Sequence, residues 1–184
     1  MKTLIINGSP RPQGNTAALM NELRRHLPGE IVEISAFRAD IAPCVDCRGC
    51  WETAKCVVKD EMQTIYADDF DCLVVASPVY FGTLPGQMLN LMSRLQPWHA
   101  ATYFLKKPLQ LRPKKVGVIL TGGGKNNLDR AHHHLRAMCR MLNADWEGAA
   151  LVTSANTDTV PAWEDAQALE GVRQMAQHLS EVTA

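Results

Sequence analysis

Short apolar runs alternate with stretches of helical periodicity along the chain. Thr3-Leu-Ile-Ile6 reads as a strand, and it gives way to the polar loop Asn7-Gly-Ser-Pro-Arg-Pro-Gln-Gly14. Leu19, Leu23 and Leu27 share one face of a helix that starts near Asn15 and stops at Pro28-Gly29. A second strand covers residues 30–35, followed by a cysteine-bearing loop from about 39 to 59 and a short helix from about 61 to 67. Residues 72–76 and 115–121 are continuous apolar runs, the pattern of strands buried on both faces. Between them the pattern predicts a helix from 86 to about 96, then an irregular stretch rich in aromatics and proline from 97 to 113. Leu128, Ala131, Leu135, Met138 and Leu142 mark the next helix, and residues 146–153 the fifth strand. A last helix begins near Pro161 or Ala162 and turns Leu169, Val172, Ala176 and Leu179 inward.

Strands alternating with helices argue for an α/β fold, a parallel sheet covered by helices on both faces. Ligands of such sheets bind beyond the carboxyl ends of the strands, near the point where strand order reverses. The loops after the first, third and fourth buried strands are therefore the places to look. Composition narrows the classes. A length of 184 residues suits one domain over 1–184, able to bury its core without disulfides or metal. The 46% hydrophobic content excludes wholesale disorder. Nineteen basic and nineteen acidic residues give a formal net charge of zero, which argues against nucleic acid as a partner. It also argues against an acidic carrier that docks by charge. The first apolar run, Leu4-Ile-Ile6, is too short for a signal-peptide core. No run approaches the ~18 apolar residues of a membrane span, so no membrane partner is expected and the expected compartment is the cytoplasm.

The loop from Gly8 to Thr16 joins a strand to a helix, where free N–H groups and the helix dipole favour an anion. Ser9, Asn15 and Thr16 add side-chain donors, and Arg11 adds a fixed charge suited to phosphate. The loop is not that of a nucleoside-triphosphate site, because Asn15 stands where a lysine belongs, and it is not a dinucleotide G-x-G-x-x-G. Ser77-Pro-Val-Tyr-Phe-Gly82 leaves the third strand, and Tyr80 and Phe81 there suit stacking on a flat ring. Thr121-Gly-Gly-Gly124 permits close backbone approach, and its N–H groups can face negative charge.

The run Asn7-Gly-Ser-Pro-Arg-Pro-Gln-Gly-Asn-Thr16 resembles the phosphate loop of flavodoxin-fold, NAD(P)H-dependent FMN reductases. Pro78, Val79, Tyr80, Phe81 and Gly82 resemble that family's flavin-ring loop, and residues 86–94 its helix ending in Asp-Arg, with Ser93 in place of the Asp. The resemblance implies a flavodoxin-like sandwich with strand order 2-1-3-4-5. It implies FMN bound by Ser9, Arg11, Gly14, Asn15, Thr16, the Pro78–Gly82 loop and Thr121, Gly122, Gly123 and Gly124. It also implies NAD(P)H as co-substrate and a homodimer or homotetramer. Electrons would pass to a second acceptor: a quinone, a nitro or azo compound, a metal ion, or another acceptor such as a protein, with a small-molecule acceptor the expected partner. The cofactor carries the hydride chemistry, so no side chain is nominated as catalytic. A binding module of the same fold with a thiol or zinc switch is the reading from another class.

Cys44, Cys47, Cys50 and Cys56 follow a C-x2-C-x2-C-x5-C spacing, and in a reducing compartment such clustering points to metal or redox chemistry. The motif resembles that of iron–sulfur flavoproteins, a branch of the same fold that carries electrons. Three readings stay open: a [4Fe–4S] cluster, free or redox-active thiols, and structural zinc. Cys72 and Cys139 fall on apolar faces and read as small core residues. His132-His-His134 cannot chelate one ion from successive helical positions. Lys106, Lys107, Arg112, Lys114 and Lys115 form either a solvated basic face or a patch attracting a nucleotide phosphate.

Overall fold

The computed structural model describes residues 1–107, 110–124 and 128–181. Lys125, which follows the glycine loop in the sequence, lies outside them. Five parallel strands form one sheet in the order β2-β1-β3-β4-β5. They are β1 (Lys2–Asn7), β2 (Glu30–Ser35), β3 (Cys72–Pro78), β4 (Lys115–Thr121) and β5 (Ala150–Ser154). The helices are α1 (Asn15–His26), α2 (Cys50–Thr53), α3 (Met62–Tyr66), α4 (Gly86–Ser93), α5 (Gln96–Tyr103), α6 (Asp129–Met141) and α7 (Ala166–Ser180).

The two-residue period of each strand feeds two cores. Cys72, Val74 and Ala76 join Leu19, Leu23, Val172 and Met175 of α1 and α7 on one face. Leu73 and Val75 join Met62, Met88, Leu91, Trp98, Leu135 and Met138 of α3 to α6 on the other. All three central strands are buried on both faces, which is why their sequences read as unbroken apolar runs. The register then levels the carboxyl ends: Asn7 lies opposite Ala76, Pro78 opposite Thr121, and Thr121 opposite Ser154. That alignment brings the loops after β1, β3, β4 and β5 to one edge.

Three expectations change. Residues 97–113 are not all irregular, because α5 occupies Gln96–Tyr103. Pro97 stands in its first turn, where a missing N–H costs nothing, so it starts this helix rather than breaking it. The fifth strand is confined to Ala150–Ser154, because Asp145 accepts from Gly148 N (3.1 Å) and holds 145–148 as a turn. The last helix starts later than Pro161, at the Asp165 cap, whose carboxylate accepts from Ala168 N (3.0 Å). Among the described residues, no helix is long and apolar enough to cross a membrane.

Candidate functional site

A cleft of about 290 Å³ opens at the carboxyl edge of the sheet. Ser9, Pro10, Arg11, Gly14, Asn15 and Thr16 line one side, Pro78, Val79 and Tyr80 another, and Thr121, Gly122 and Gly123 a third. The three loops singled out from the sequence thus meet in one place. Thr157 and Asp158 also line the cleft, from the loop after β5, and sequence reasoning passed over them. The signal was available, since that loop leaves the same edge of the same sheet.

The phosphate-type loop is organised by its own side chains. Asn7 accepts from Ser9 N (2.8 Å) and donates to Glu33 (2.7 Å). The Ser9 hydroxyl accepts from Arg11 N and donates to Arg11 O, both at 3.2 Å. Asn15 Oδ1 accepts from Ala162 N (2.9 Å), and Thr16 and Thr121 share a hydroxyl hydrogen bond of 2.7 Å. Ser9, Asn15 and Thr16 therefore spend hydrogen-bonding capacity on building the loop. What faces outward is backbone. Helix α1 is N-capped by Gly14 with no side-chain cap, and its ladder begins only with Ala18 N to Gly14 O (3.0 Å). The preceding N–H groups of a twelve-residue helix are left for an anion. Arg11 is exposed beside them and forms no ion pair among the described residues.

The aromatic loop is a tight hairpin. Tyr80 and Thr83 exchange both backbone hydrogen bonds at 3.0 Å, and Phe81 and Gly82 between them have φ of 53° and 77°. Two positive φ values in succession are the signature of a type I′ turn, comfortable for Gly82 and strained for Phe81. Tyr80 lines the cleft, whereas Phe81 is 97% exposed, and neither Phe81 nor Gly82 lines the cleft. Val79 N–H is given to Thr121 O (2.8 Å) and Gly122 N–H to Ser154 O (3.0 Å). Among the described residues, the N–H groups of Phe81, Gly82 and Gly123 have no backbone acceptor, and of these three residues Gly123 lines the cleft. Gly124 itself lies in open space outside the cleft lining. A carbon at Gly123 would collide with the Asp158 carboxylate, so the glycine makes room for that acid.

The cysteines gather elsewhere. Cys44, Cys47, Cys50 and Cys56 line one pocket of about 30 Å³ with Trp51, Arg94 and Pro97. Trp51 packs on Phe104 at the end of α5, with ring centroids 4.2 Å apart. Ser93, where the family pattern has Asp, accepts from Cys44 N (3.4 Å) and donates to Asn90 O (2.6 Å). Arg94 is buried and pairs with Asp60 through two hydrogen bonds, of 2.6 and 3.2 Å. Burial works against its charge, but the contacts with Asp60 and Cys56 more than offset this, and its pKa is raised. Burial pushes the Cys50 thiol up, and the neighbouring Cys44, Cys47 and Cys56 add to that. No three described His, Cys, Asp or Glu side chains converge on a point able to hold one metal ion. Four thiols and a buried cation match the donor chemistry of an anionic tetrathiolate centre.

The lesser candidates resolve into structure. Cys72 and Cys139 are buried. His133 is exposed, and His134 is hydrogen-bonded to Thr83 (3.2 Å). Much of the basic run is engaged: Arg112 with Asp71 (2.9 Å), buried Lys114 with Asp68 (2.5 Å), and Lys115 with the His178 and Glu181 carbonyls. Those three are pinned to the sheet's other end and do not form a free nucleotide patch.

Comparison with known proteins places this geometry. The chain is 35% identical over 131 residues to an iron–sulfur flavoprotein of Methanocaldococcus jannaschii, covering 68% of this chain and 64% of that protein. It is 34% identical over 132 residues to an iron–sulfur flavoprotein of Methanosarcina thermophila, covering 69% of this chain and 65% of that one. The matches thus span slightly under two thirds of these relatives' lengths. Among solved structures, an NAD(P)H:quinone oxidoreductase from Methanothermobacter marburgensis superposes with a TM-score of 0.73 at 11% identity, over 100% of this chain and 99% of that one. An FMN-dependent NADH-azoreductase from Bacillus anthracis in complex with FMN gives 0.68 at 17% identity, over 98% and 100%. At such identities these two share the fold. The family described as NADPH-dependent FMN reductase matches residues 1–156, and the chain belongs to that family.

Proposed function

We propose that the chain is an NAD(P)H oxidoreductase that holds FMN in the 290 Å³ cleft. The observation that carries this reading is the convergence of the β1, β3 and β4 loops on one cleft beside an uncapped helix N-terminus. The first N–H groups of α1 and the Arg11 guanidinium hold the phosphate. Tyr80 would flank the ring, and the Gly123 amide would serve its polar edge. Bound FMN supplies hydride acceptance from a nicotinamide and onward delivery of electrons. The chain's own part is placement and the exclusion of competing reactions, so no side-chain acid or base is assigned. The acceptor is a small molecule, with quinones and azo compounds favoured by the neighbours' activities and nitro compounds or metal ions next. We place the protein in the cytoplasm as a homodimer or homotetramer, with exposed Phe81, Trp51 and Phe104 available to a second copy. Anaerobic mixing with NADH or NADPH tests the activity. Rapid loss of the oxidised flavin's visible absorbance is expected, and a fully flavin-loaded protein that stays yellow for minutes contradicts it.

A second centre is favoured by one specific observation: four thiols line a single pocket with a buried cation. We propose that Cys44, Cys47, Cys50 and Cys56 ligate a [4Fe–4S] cluster, which would supply one-electron relay. The names of the curated relatives support this reading. Iron and sulfide analysis of anaerobically purified protein tests it. Their absence after reconstitution returns the pocket to free thiols.

A further inference from the structure

The cysteine pocket has a cation built into its wall. Arg94 sits just beyond α4 with 1% of its side chain exposed. Its Nη1 donates to Asp60 Oδ2 (2.6 Å) and to Ala42 O (2.7 Å). Its Nη2 donates to Asp60 Oδ1 (3.2 Å) and to the Cys56 sulfur (3.4 Å). Its Nε is buried and has no hydrogen-bond partner among the described residues. An orphaned donor on a buried arginine is costly and calls for an acceptor. The same residue lines the pocket that the four thiols line. Tyr66 fixes the backbone beneath it by donating to Arg94 O.

We propose that Arg94 is a positioning residue for the cluster: held by Asp60, its guanidinium hydrogen-bonds the Cys56 thiolate and raises the cluster's reduction potential. This rests on the cluster reading above. A [4Fe–4S] centre with four thiolates is anionic and becomes more so on reduction. A cation at one sulfur, donating a hydrogen bond to it, therefore favours the reduced form. The Arg94–Asp60 pair is neutral overall, but Arg94 stands between Asp60 and the sulfur. The sulfur meets the positive end of the pair. Removing only the cation leaves the Asp60 carboxylate buried and unbalanced near the cluster. Removing both charges leaves neither field.

That geometry orders three proteins. Wild type, Arg94→Gln with Asp60→Asn, and Arg94→Gln alone are prepared anaerobically as holoproteins and checked for iron, sulfide and FMN. The midpoint potential of the cluster is then read by EPR-monitored titration. The potential should be highest in the wild type, lower in the double variant and lowest in the single one. A loaded double variant with the wild-type potential overturns the role of Arg94 and leaves the cluster standing. A wild type that takes up no iron or sulfide on reconstitution removes the cluster and this proposal together. If the double variant does not load, Arg94→Lys carries the test, since it keeps the charge and loses the fork. It should load at a potential below the wild type's, and an unchanged potential or failure to load there reduces Arg94 to a structural part.

Discussion

Gly8 leaves no room for a side chain between the end of β1 and α4. A Cβ there would lie 2.6 Å from Met88 Cγ and 2.7 Å from Ser77 Oγ, both in the packed interior. Gly8→Ala should cost about 1–3 kcal/mol by overpacking, read as a lowered midpoint in urea. The thiols separate as cleanly. Burial pushes Cys139 up to about 12 and raises Cys72, so both stay protonated and inaccessible, while Cys44 and Cys47 are exposed. Alkylation of the metal-free native protein at about pH 8 should label Cys44 and Cys47 first, with Cys72 and Cys139 labelled only on unfolding. Mass mapping of the modified peptides checks this. At this scale the sequence showed which residues carry charge or sulfur but not what holds them. The partners of Thr16 and Asn15 lie 105 and 147 positions away, and Arg94 meets Cys56 across 38. Only the fold brings such pairs together.

Among the elements, the three central strands were the most legible, because burial on both faces writes itself as an unbroken apolar run, whereas the half-exposed β5 was placed too early. Their order came from family resemblance, since periodicity carries no strand order. Helix α5 was missed because Pro97 reads as a breaker unless its place in a first turn is known. Its burial of Trp98, Ala100 and Ala101 is what sets Phe104 against Trp51. Helix α7 depends on its cap. Asp165 accepts from Ala168 N through one oxygen and from the Ser154 hydroxyl (2.7 Å) through the other, tying α7 to the end of β5. Asp165→Ala should therefore cost about 1 kcal/mol or more in chemical denaturation. The conservative Asp165→Asn should recover most of that loss.

For the whole molecule, two buried carboxylates link stability to pH. The Arg173 contact, helped by Arg25 and His26, outweighs burial and holds Glu22 below its ordinary value, joining α1 to α7. Burial opposes ionisation of Asp60 more strongly, but Arg94 and the Ala42 and Met62 N–H groups together still lower it. Both groups ionise at lower pH folded than unfolded. Their contribution is thus complete above the ordinary carboxylate range of about 4 and is lost as pH falls through the folded values. Thermal melts from neutral pH downward should show a loss of stability below about pH 4 that shrinks in Glu22→Gln. The same assembly that buries these pairs sets the β1–α1 loop, the Tyr80 turn and the glycine loop around one cleft. The balanced net charge is compatible with the proposed role of that cleft, where Arg11, in no ion pair among the described residues, would supply locally what a basic surface would supply globally. The most direct test of the account is fluorescence titration of flavin-stripped protein with FMN, comparing wild type with Arg11→Ala. Tight binding by the wild type and a dissociation constant roughly tenfold or more weaker in the variant is the predicted result, as loss of a charge-assisted contact requires. Equal dissociation constants would contradict the assignment of phosphate to this loop.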